Sequence, residues 1–216
     1  MAEENDIARV CLPQIDAKAP EFTAVTTFGE RSLSDYRGKW LVFFSHPGDF
    51  TPVCTTEFIA FAKAYEEFRS RNTELLGLSI DSNASHLAWV FDIYQNTGIE
   101  IPFPIVDDRD MRISRLYGMI SPASSTTKAV RTVFIIDPEG ILRTILYYPL
   151  TVGRYIPEIL RIIDALQTVD RENVYTPANW EPGDPVIIPP PRTYKDLIRR
   201  TKNRRLNCTS WYLCYK

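Results

Sequence analysis

The chain has few of the residues that most site chemistry draws on, with two histidines and four cysteines among 216 residues. Cysteines at 11, 54, 208 and 214 do not suggest a structural disulfide framework in a chain of this size; a catalytic or redox use in a reducing compartment is expected instead. No Cys-x-x-Cys occurs, which counts against a disulfide reductase of the thioredoxin type. Cys11, His46, Cys54 and His86 lack close zinc-ligand spacing, and Cys208 and Cys214 have five residues between them with no second pair nearby, so neither metal nor prosthetic group is expected. No Gly-x-Ser-x-Gly elbow is present, so no lipase-type serine is assigned. No apolar run approaches the ~20 residues of a membrane span, and MAEENDIARV has neither the basic start nor the apolar core of a secretory signal. A soluble cytoplasmic protein is the expectation. A net charge of −2 implies no strong whole-chain attraction to nucleic acid or anionic lipid. The 44% hydrophobic content suffices for one sizeable core plus an appendage.

The stretch from Trp40 to Glu57 organises what is there. Leu41, Val42, Phe43 and Phe44 form a continuous apolar run of the kind found in a strand covered on both faces. Pro47, Gly48 and Pro52 then force a loop. Phe58, Phe61, Ala62, Tyr65 and Phe68 recur at helical spacing, so a helix is expected from about Val53 or Cys54. Cys54 thus falls in a first helical turn, where unpaired N–H groups and the macrodipole favour a thiolate over a thiol. A free thiol with a pKa of about 8.5 is ~3% ionised at pH 7, so a pKa of about 6 would raise the reactive fraction roughly thirty-fold, worth about 2 kcal/mol. Enzymes lower barriers by ~8 kcal/mol or more, so oriented donors around a leaving oxygen must supply the rest.

Pro47, Thr51 and Cys54 have the Pro-x-x-x-Thr-x-x-Cys spacing of the peroxiredoxins. The longer string His46-Pro47-Gly48-Asp49-Phe50-Thr51-Pro52-Val53-Cys54-Thr55-Thr56-Glu57 resembles the subgroup that holds the mammalian one-cysteine enzyme and the long-tailed archaeal thiol peroxidases. The resemblance implies that Cys54 attacks the O–O bond of hydrogen peroxide or an alkyl hydroperoxide, that Thr51 helps hold the peroxide, and that Pro47 shields the sulfenic acid. A ring-forming redox sensor or holdase chaperone is the alternative from another class; consumption of excess peroxide by sub-stoichiometric protein would favour the enzyme.

Along the chain, Phe22 to Thr27 alternate and Ser32 to Tyr36 return after a turn at Phe28-Gly29-Glu30, which predicts a hairpin. Leu75 to Ile80 read as a strand, and Asp81-Ser82-Asn83 as the cap of a helix with Leu87, Val90, Phe91 and Tyr94 inward. Further elements are a strand at Pro104 to Val106, a short helix from Met111 to Tyr117, antiparallel strands at Ala129 to Ile136 and Ile141 to Tyr148, and a helix from Tyr155 to Gln167. The order gives an α/β layered domain. The resemblance makes it a thioredoxin-like fold, a central mixed β-sheet flanked by helices, over 1–168, with an extended C-terminal dimerisation arm over 169–216.

Arg131 interrupts an otherwise apolar strand, where a buried charge needs a partner unless the side chain points outward from an edge. The resemblance gives it the first role, contact with the cysteine sulfur and the peroxide oxygen. It likewise pairs Arg154 with Glu57 in a buried network and places His46 near enough to orient peroxide; His86 reads as structural. The proline-rich 173–192 cannot be a regular helix, and Val186-Ile187-Ile188 within it need a partner surface. The resemblance supplies one, the other subunit of a homodimer gathered into a ring of ten. Lys195, Arg199, Arg200, Lys202, Arg204 and Arg205 make the arm basic against an acidic body; docking on an acidic neighbour is preferred to nucleic-acid binding. The closing Cys208 to Cys214 segment resembles the tail cysteines of archaeal members. That assigns Cys214 as the resolving thiol for Cys54 of another subunit and Cys208 as the next in relay, with a thioredoxin-like protein or other thiol as final reductant. A pair that reacts only with itself or with small thiols is the alternative.

Overall fold

A strand apolar on both faces belongs in the middle of a sheet, and β3 (Trp40–Ser45) is buried at every position. The computed structural model describes residues 12–216, which divide between Ile156 and Pro157 into two compact units. In the first unit β3 lies parallel to β4 (Thr73–Ser79), and β4 parallel to β5 (Ile105–Asp107). On its other side runs antiparallel β6 (Arg131–Ile136), followed by β7 (Leu142–Tyr148). The hairpin of β1 (Thr23–Thr26) and β2 (Gly29–Ser32) completes the strand order β2-β1-β5-β4-β3-β6-β7. With α1 (Pro52–Lys63), α2 (Tyr65–Ser70), α3 (Asn83–Thr97) and α4 (Arg112–Leu116), this is the mixed sheet with flanking helices of a thioredoxin-like fold.

Successive strand residues face opposite sides, and β3 feeds two aromatic clusters. Phe43 meets Phe22, Tyr117 and Phe134 at ring distances of 5.2, 5.0 and 6.3 Å. Phe44 meets Phe58, Phe61 and Phe103 at 5.5, 4.3 and 5.8 Å. Gly77 on β4 makes room for the second cluster, since a Cβ there would stand 3.2 Å from the Phe58 ring. The α1 stripe is thereby pressed onto the sheet one turn beyond Cys54.

Two expectations are corrected. The hairpin returns through Gly29–Ser32, and Leu33–Tyr36 is a 3-10 turn, because Asp35 accepts from the Ser32 N–H and closes a cap. In α3 the Ser82 cap forms, its Oγ accepting from Ser85 N–H at 3.1 Å. The inward face, however, carries His86, Trp89 and Ile93, while Leu87, Phe91 and Tyr94 are about half exposed. Both stripes have helical spacing. What decides between them is polar: His86 and Trp89 have hydrogen-bond partners waiting on other elements, and a buried donor left unpaired costs more than an exposed leucine.

In the second unit, α5 (Ile156–Glu172), which spans the division, leads into the extended arm. Val186 packs with Val174 and Trp180 of its own unit. Tyr175 and Ile187 exchange backbone bonds of 2.9 and 2.8 Å, and Val186 and Lys216 exchange two more of 3.1 and 3.0 Å. Much of what the apolar arm needs is therefore met locally. The basic cluster begins on α6 (Tyr194–Thr201), and β8 (Asn207–Ser210) pairs with β9 (Leu213–Tyr215); neither the helix nor the hairpin is among the sequence expectations. Among the described residues no helix is long and apolar enough to cross a membrane.

If α3 faces inward as observed, Trp89→Ala should cost about 3–5 kcal/mol and Phe91→Ala less than about 1 kcal/mol. Urea midpoints of the two variants measure this; equal losses would contradict the assignment of the buried face.

Candidate active site

The site is built where β3 ends. Ser45 closes the strand, His46 N–H still reaches the Leu78 carbonyl at 2.9 Å, and Pro47 and Gly48 turn the chain while buried. Phe50 takes a left-handed φ of 53°, unusual for an aromatic residue, and leaves its ring exposed. Thr51 is the extended residue before α1, and Pro52 takes the first helical position, where a missing N–H costs nothing. Thr51 Oγ1 donates to the Gly48 carbonyl at 2.9 Å, so the hydroxyl pins the loop rather than capping the helix. Cys54 follows as the third residue of α1, fully buried.

Around its sulfur lies a charged network. Arg131 Nη1 donates to Cys54 Sγ at 3.3 Å and to Glu57 Oε2 at 2.7 Å. Its Nε and Nη2 donate to the Leu150 carbonyl at 3.1 and 2.8 Å, which aims the guanidinium. Arg154 grips the same carboxylate from the other side, Nε to Oε1 at 2.9 Å and Nη2 to Oε2 at 2.6 Å. Its backbone N–H adds a bond to Oε1 of 2.8 Å, and Nη1 donates to the Ser45 and Thr132 carbonyls at 2.9 and 3.0 Å. Burial alone would raise the Glu57 pKa. The charge and hydrogen bonds of Arg154, with the charge of Arg131, more than reverse this and hold it below the usual carboxylate range. Two guanidinium ions against one carboxylate leave a buried positive charge over. Arg131 presents that charge to the Cys54 sulfur at hydrogen-bond distance. The outward alternative for Arg131 is excluded, because β6 has strands on both sides and the side chain is buried.

A thiol at a helix start, faced by a buried arginine, is a site for attack on an electron-poor atom with charge developing on what leaves. Comparison with known proteins agrees. The AhpC/TSA family pattern matches residues 15–145, and that of the C-terminal domain of 1-Cys peroxiredoxin matches residues 165–204. "Peroxiredoxin 2" of Caldanaerobacter subterraneus subsp. tengcongensis is 68% identical over 213 residues, 98% of this chain and 96% of that one. The chain belongs to the peroxiredoxin family. A second relative, "Peroxiredoxin" of Aquifex aeolicus, is 54% identical, covering 96% of this chain and 98% of its own. Among solved structures, a yeast mitochondrial 1-Cys peroxiredoxin superposes with a TM-score of 0.85 at 42% identity, covering 95% of this chain and 99% of its own. The C45S mutant of Peroxiredoxin 6 from Arenicola marina gives 0.84 at 33%, covering 94% and 97%. This peroxiredoxin is therefore a thiol-dependent peroxidase.

The remaining sequence candidates fall in two places. His46 is fully buried beside Phe58, stacked on Trp89 at 5.1 Å, and bonded through Nε2 to Asp49 Oδ1 at 2.9 Å. His86 approaches the same carboxylate, with Nδ1 2.8 Å from Oδ2. The three side chains are the group of described residues whose ligand atoms, all within 4.8 Å of one another, have metal-binding chemistry. Asp49 had no role in the sequence reading, though its i,i+3 spacing from His46 was a signal. In this peroxiredoxin Cys208 and Cys214 are bonded to each other across β8 and β9. Neither is a free thiol in this state; Cys208 is exposed and Cys214 buried. Cys11 lies outside the described residues.

Because Glu57 has a lowered pKa in the folded chain, its stabilisation is complete above the unfolded carboxylate range, near 4.3, and is lost as pH falls through that range and below. Glu57→Gln should therefore cost about 3–5 kcal/mol at pH 7 and much less at pH 3. Denaturation at the two pH values tests this; a loss independent of pH would remove the ionised carboxylate from the account.

Proposed function

We propose that this peroxiredoxin reduces hydrogen peroxide and small alkyl hydroperoxides at Cys54, with the tail cysteines of a neighbouring subunit as resolving thiols. In the first step Cys54 thiolate attacks the terminal peroxide oxygen, the O–O bond breaks, and the departing alkoxide or hydroxide takes a proton, leaving Cys54 sulfenic acid and an alcohol or water. The observation that carries this reading is Arg131 Nη1 at 3.3 Å from the sulfur, a cation already pinned by Glu57 and Leu150 where charge develops. Thr51 and His46 orient the peroxide, Pro47 covers the sulfenic acid, and Arg154 with Glu57 hold Arg131 in place.

Resolution follows by thiol exchange. The Cys214 thiol condenses with the sulfenic acid, releasing water and forming a mixed disulfide; Cys208 thiolate then attacks the Cys214 sulfur and frees Cys54. A thioredoxin-like dithiol or another thiol reduces the tail pair and is itself oxidised. The combination of a free Cys54 thiol with a Cys208–Cys214 disulfide is the state such a cycle leaves before the reductant acts, which supports the reading. Residues 1–168 carry the peroxide chemistry, and 169–216 join subunits into dimers and decamers, in the cytoplasm.

One equivalent of hydrogen peroxide added to the fully reduced chain, followed by thiol blocking and non-reducing peptide mapping, should trap Cys54 joined to Cys214 of a second chain in Cys208→Ser. In the native chain the Cys208–Cys214 disulfide should accumulate. Cys54→Ser should abolish turnover. Oxygen retained on Cys54 with both tail thiols free would make an external thiol the resolving agent, and an unchanged Cys54 would contradict the peroxide step.

A further inference from the structure

His86 is a fully buried side chain that the steps above do not use. It sits in the first turn of α3, and both of its ring nitrogens meet acceptors. Nδ1 lies 3.0 and 2.8 Å from the two oxygens of Asp49, and Nε2 lies 3.1 Å from the Val106 carbonyl on β5. A neutral imidazole has one N–H. Either neutral tautomer would set a ring lone pair against an oxygen lone pair in a dry interior, where unmatched polar contacts are most costly. The contacts are resolved if a proton lies between Nδ1 and Asp49. With the Val106 carbonyl able only to accept and the carboxylic acid the stronger acid of the two partners, that proton is placed on the ring.

We propose that His86 is the doubly protonated member of a buried His46–Asp49–His86 relay and acts as a positioning residue, holding Asp49 ionised so that His46 is fixed as its Nε2–H tautomer beside the peroxidatic helix. The assignment rests on the peroxidase reading for its purpose. In this arrangement Asp49 Oδ1 accepts from His46 Nε2–H at 2.9 Å. His46 Nδ1 is then a bare acceptor, and it is buried with no hydrogen-bond partner among the described residues. His46 packs against Phe58 of α1 and against Trp89, whose indole N–H donates to Thr55 Oγ1 at 3.2 Å, so the ring is locked to the helix that starts at the active cysteine.

The neighbouring charges agree in sign. Burial lowers the His46 pKa more than Asp49 restores it, which keeps that ring neutral. Burial would raise Asp49, but the hydrogen bonds from His46 and His86 reverse this and hold it well below the usual carboxylate range. Asp81 Oδ2 accepts from Asp49 N–H at 2.9 Å, and Asp107 Oδ2 from Asn83 N–H at 2.8 Å, adding negative potential near the start of α3. The positive end of α3 opposes a cation at His86, yet it amounts to a charge of ~0.5 spread over a turn, against a full carboxylate charge in contact. A shared metal ion fits less well. Ligand atoms about 2.0 Å from a tetrahedral metal stand about 3.3 Å apart, whereas the two closest nitrogen-to-oxygen contacts here are 2.9 and 2.8 Å, the length of charge-assisted hydrogen bonds.

The test uses the whole chain, whose two histidines give two ring systems in a nitrogen-15 spectrum. At pH 7 one ring should show both nitrogens protonated and the other a protonated Nε2 with a bare Nδ1. In His86→Gln the second ring should exchange between tautomers, and Cys54 oxidation by hydrogen peroxide should slow on the order of tenfold. Two neutral rings in the native spectrum would overturn the proposal, as would one equivalent of metal retained through purification, or a His46 tautomer and oxidation rate untouched in His86→Gln. A native chain that consumes no peroxide would defeat the peroxidase reading instead, and the ring assignment would still be decided by the spectrum.

Discussion

A carboxylate shared between two buried arginines is the interaction on which the rest of this structure depends. Glu57 comes from α1, Arg131 from β6, and Arg154 from the chain after β7, and their bonds extend to the carbonyls of Ser45, Thr132 and Leu150. Burying this many charges is costly unless donors and acceptors are matched, and here the cost is offset because Arg131 bonds the Leu150 carbonyl twice and Arg154 bonds the Ser45 and Thr132 carbonyls, both in addition to Glu57. The residual positive charge is not a defect of the packing. It is what sets a buried cation against the Cys54 sulfur.

That constraint explains why the apparatus around it is stiff. The sulfur is reached by a guanidinium whose other bonds go to Glu57 and the Leu150 carbonyl, which fix its orientation. The loop from Pro47 to Thr51 is fixed by the Thr51 bond to Gly48 and by the Asp49 bond to Asp81, and the helix is held by the packing of Phe58 against Phe44, Trp89 and His46. The tail has a separate redox identity. Its two cysteines close on each other within one hairpin, and Cys54 is left as the free thiol among the described residues.

Much of this was legible in the residues. The continuous apolar run of Leu41 to Phe44 announced a central strand, and the breakers followed by helical spacing placed Cys54 in a first turn. Arg131 was ambiguous from its strand alone, since a charge on an edge strand and a paired charge on an inner one look alike in sequence; only the strand on its far side decides. The buried face of α3 was misread because apolar spacing favours Leu87, Phe91 and Tyr94, whereas hydrogen bonds to Asp49, Val106 and Thr55 turn His86 and Trp89 inward. Those partners lie 20 to 37 residues away, beyond any local pattern. The pairing of the arm with the tail was hidden for the same reason, as Val186 meets Lys216 only after the chain has turned through α6 and the hairpin.

The most direct measurement is the second-order rate of Cys54 oxidation by hydrogen peroxide, followed by stopped-flow tryptophan fluorescence, in the native chain and in Arg131→Ala and Arg131→Lys. If the pinned guanidinium stabilises both thiolate and departing oxygen, Arg131→Ala should slow the step at least 10²-fold, about 2.7 kcal/mol or more. Lysine, a single point charge without the fork that binds Glu57 and Leu150 together, should recover only part of it. Rates within a few-fold of native in both variants would contradict the account at its centre.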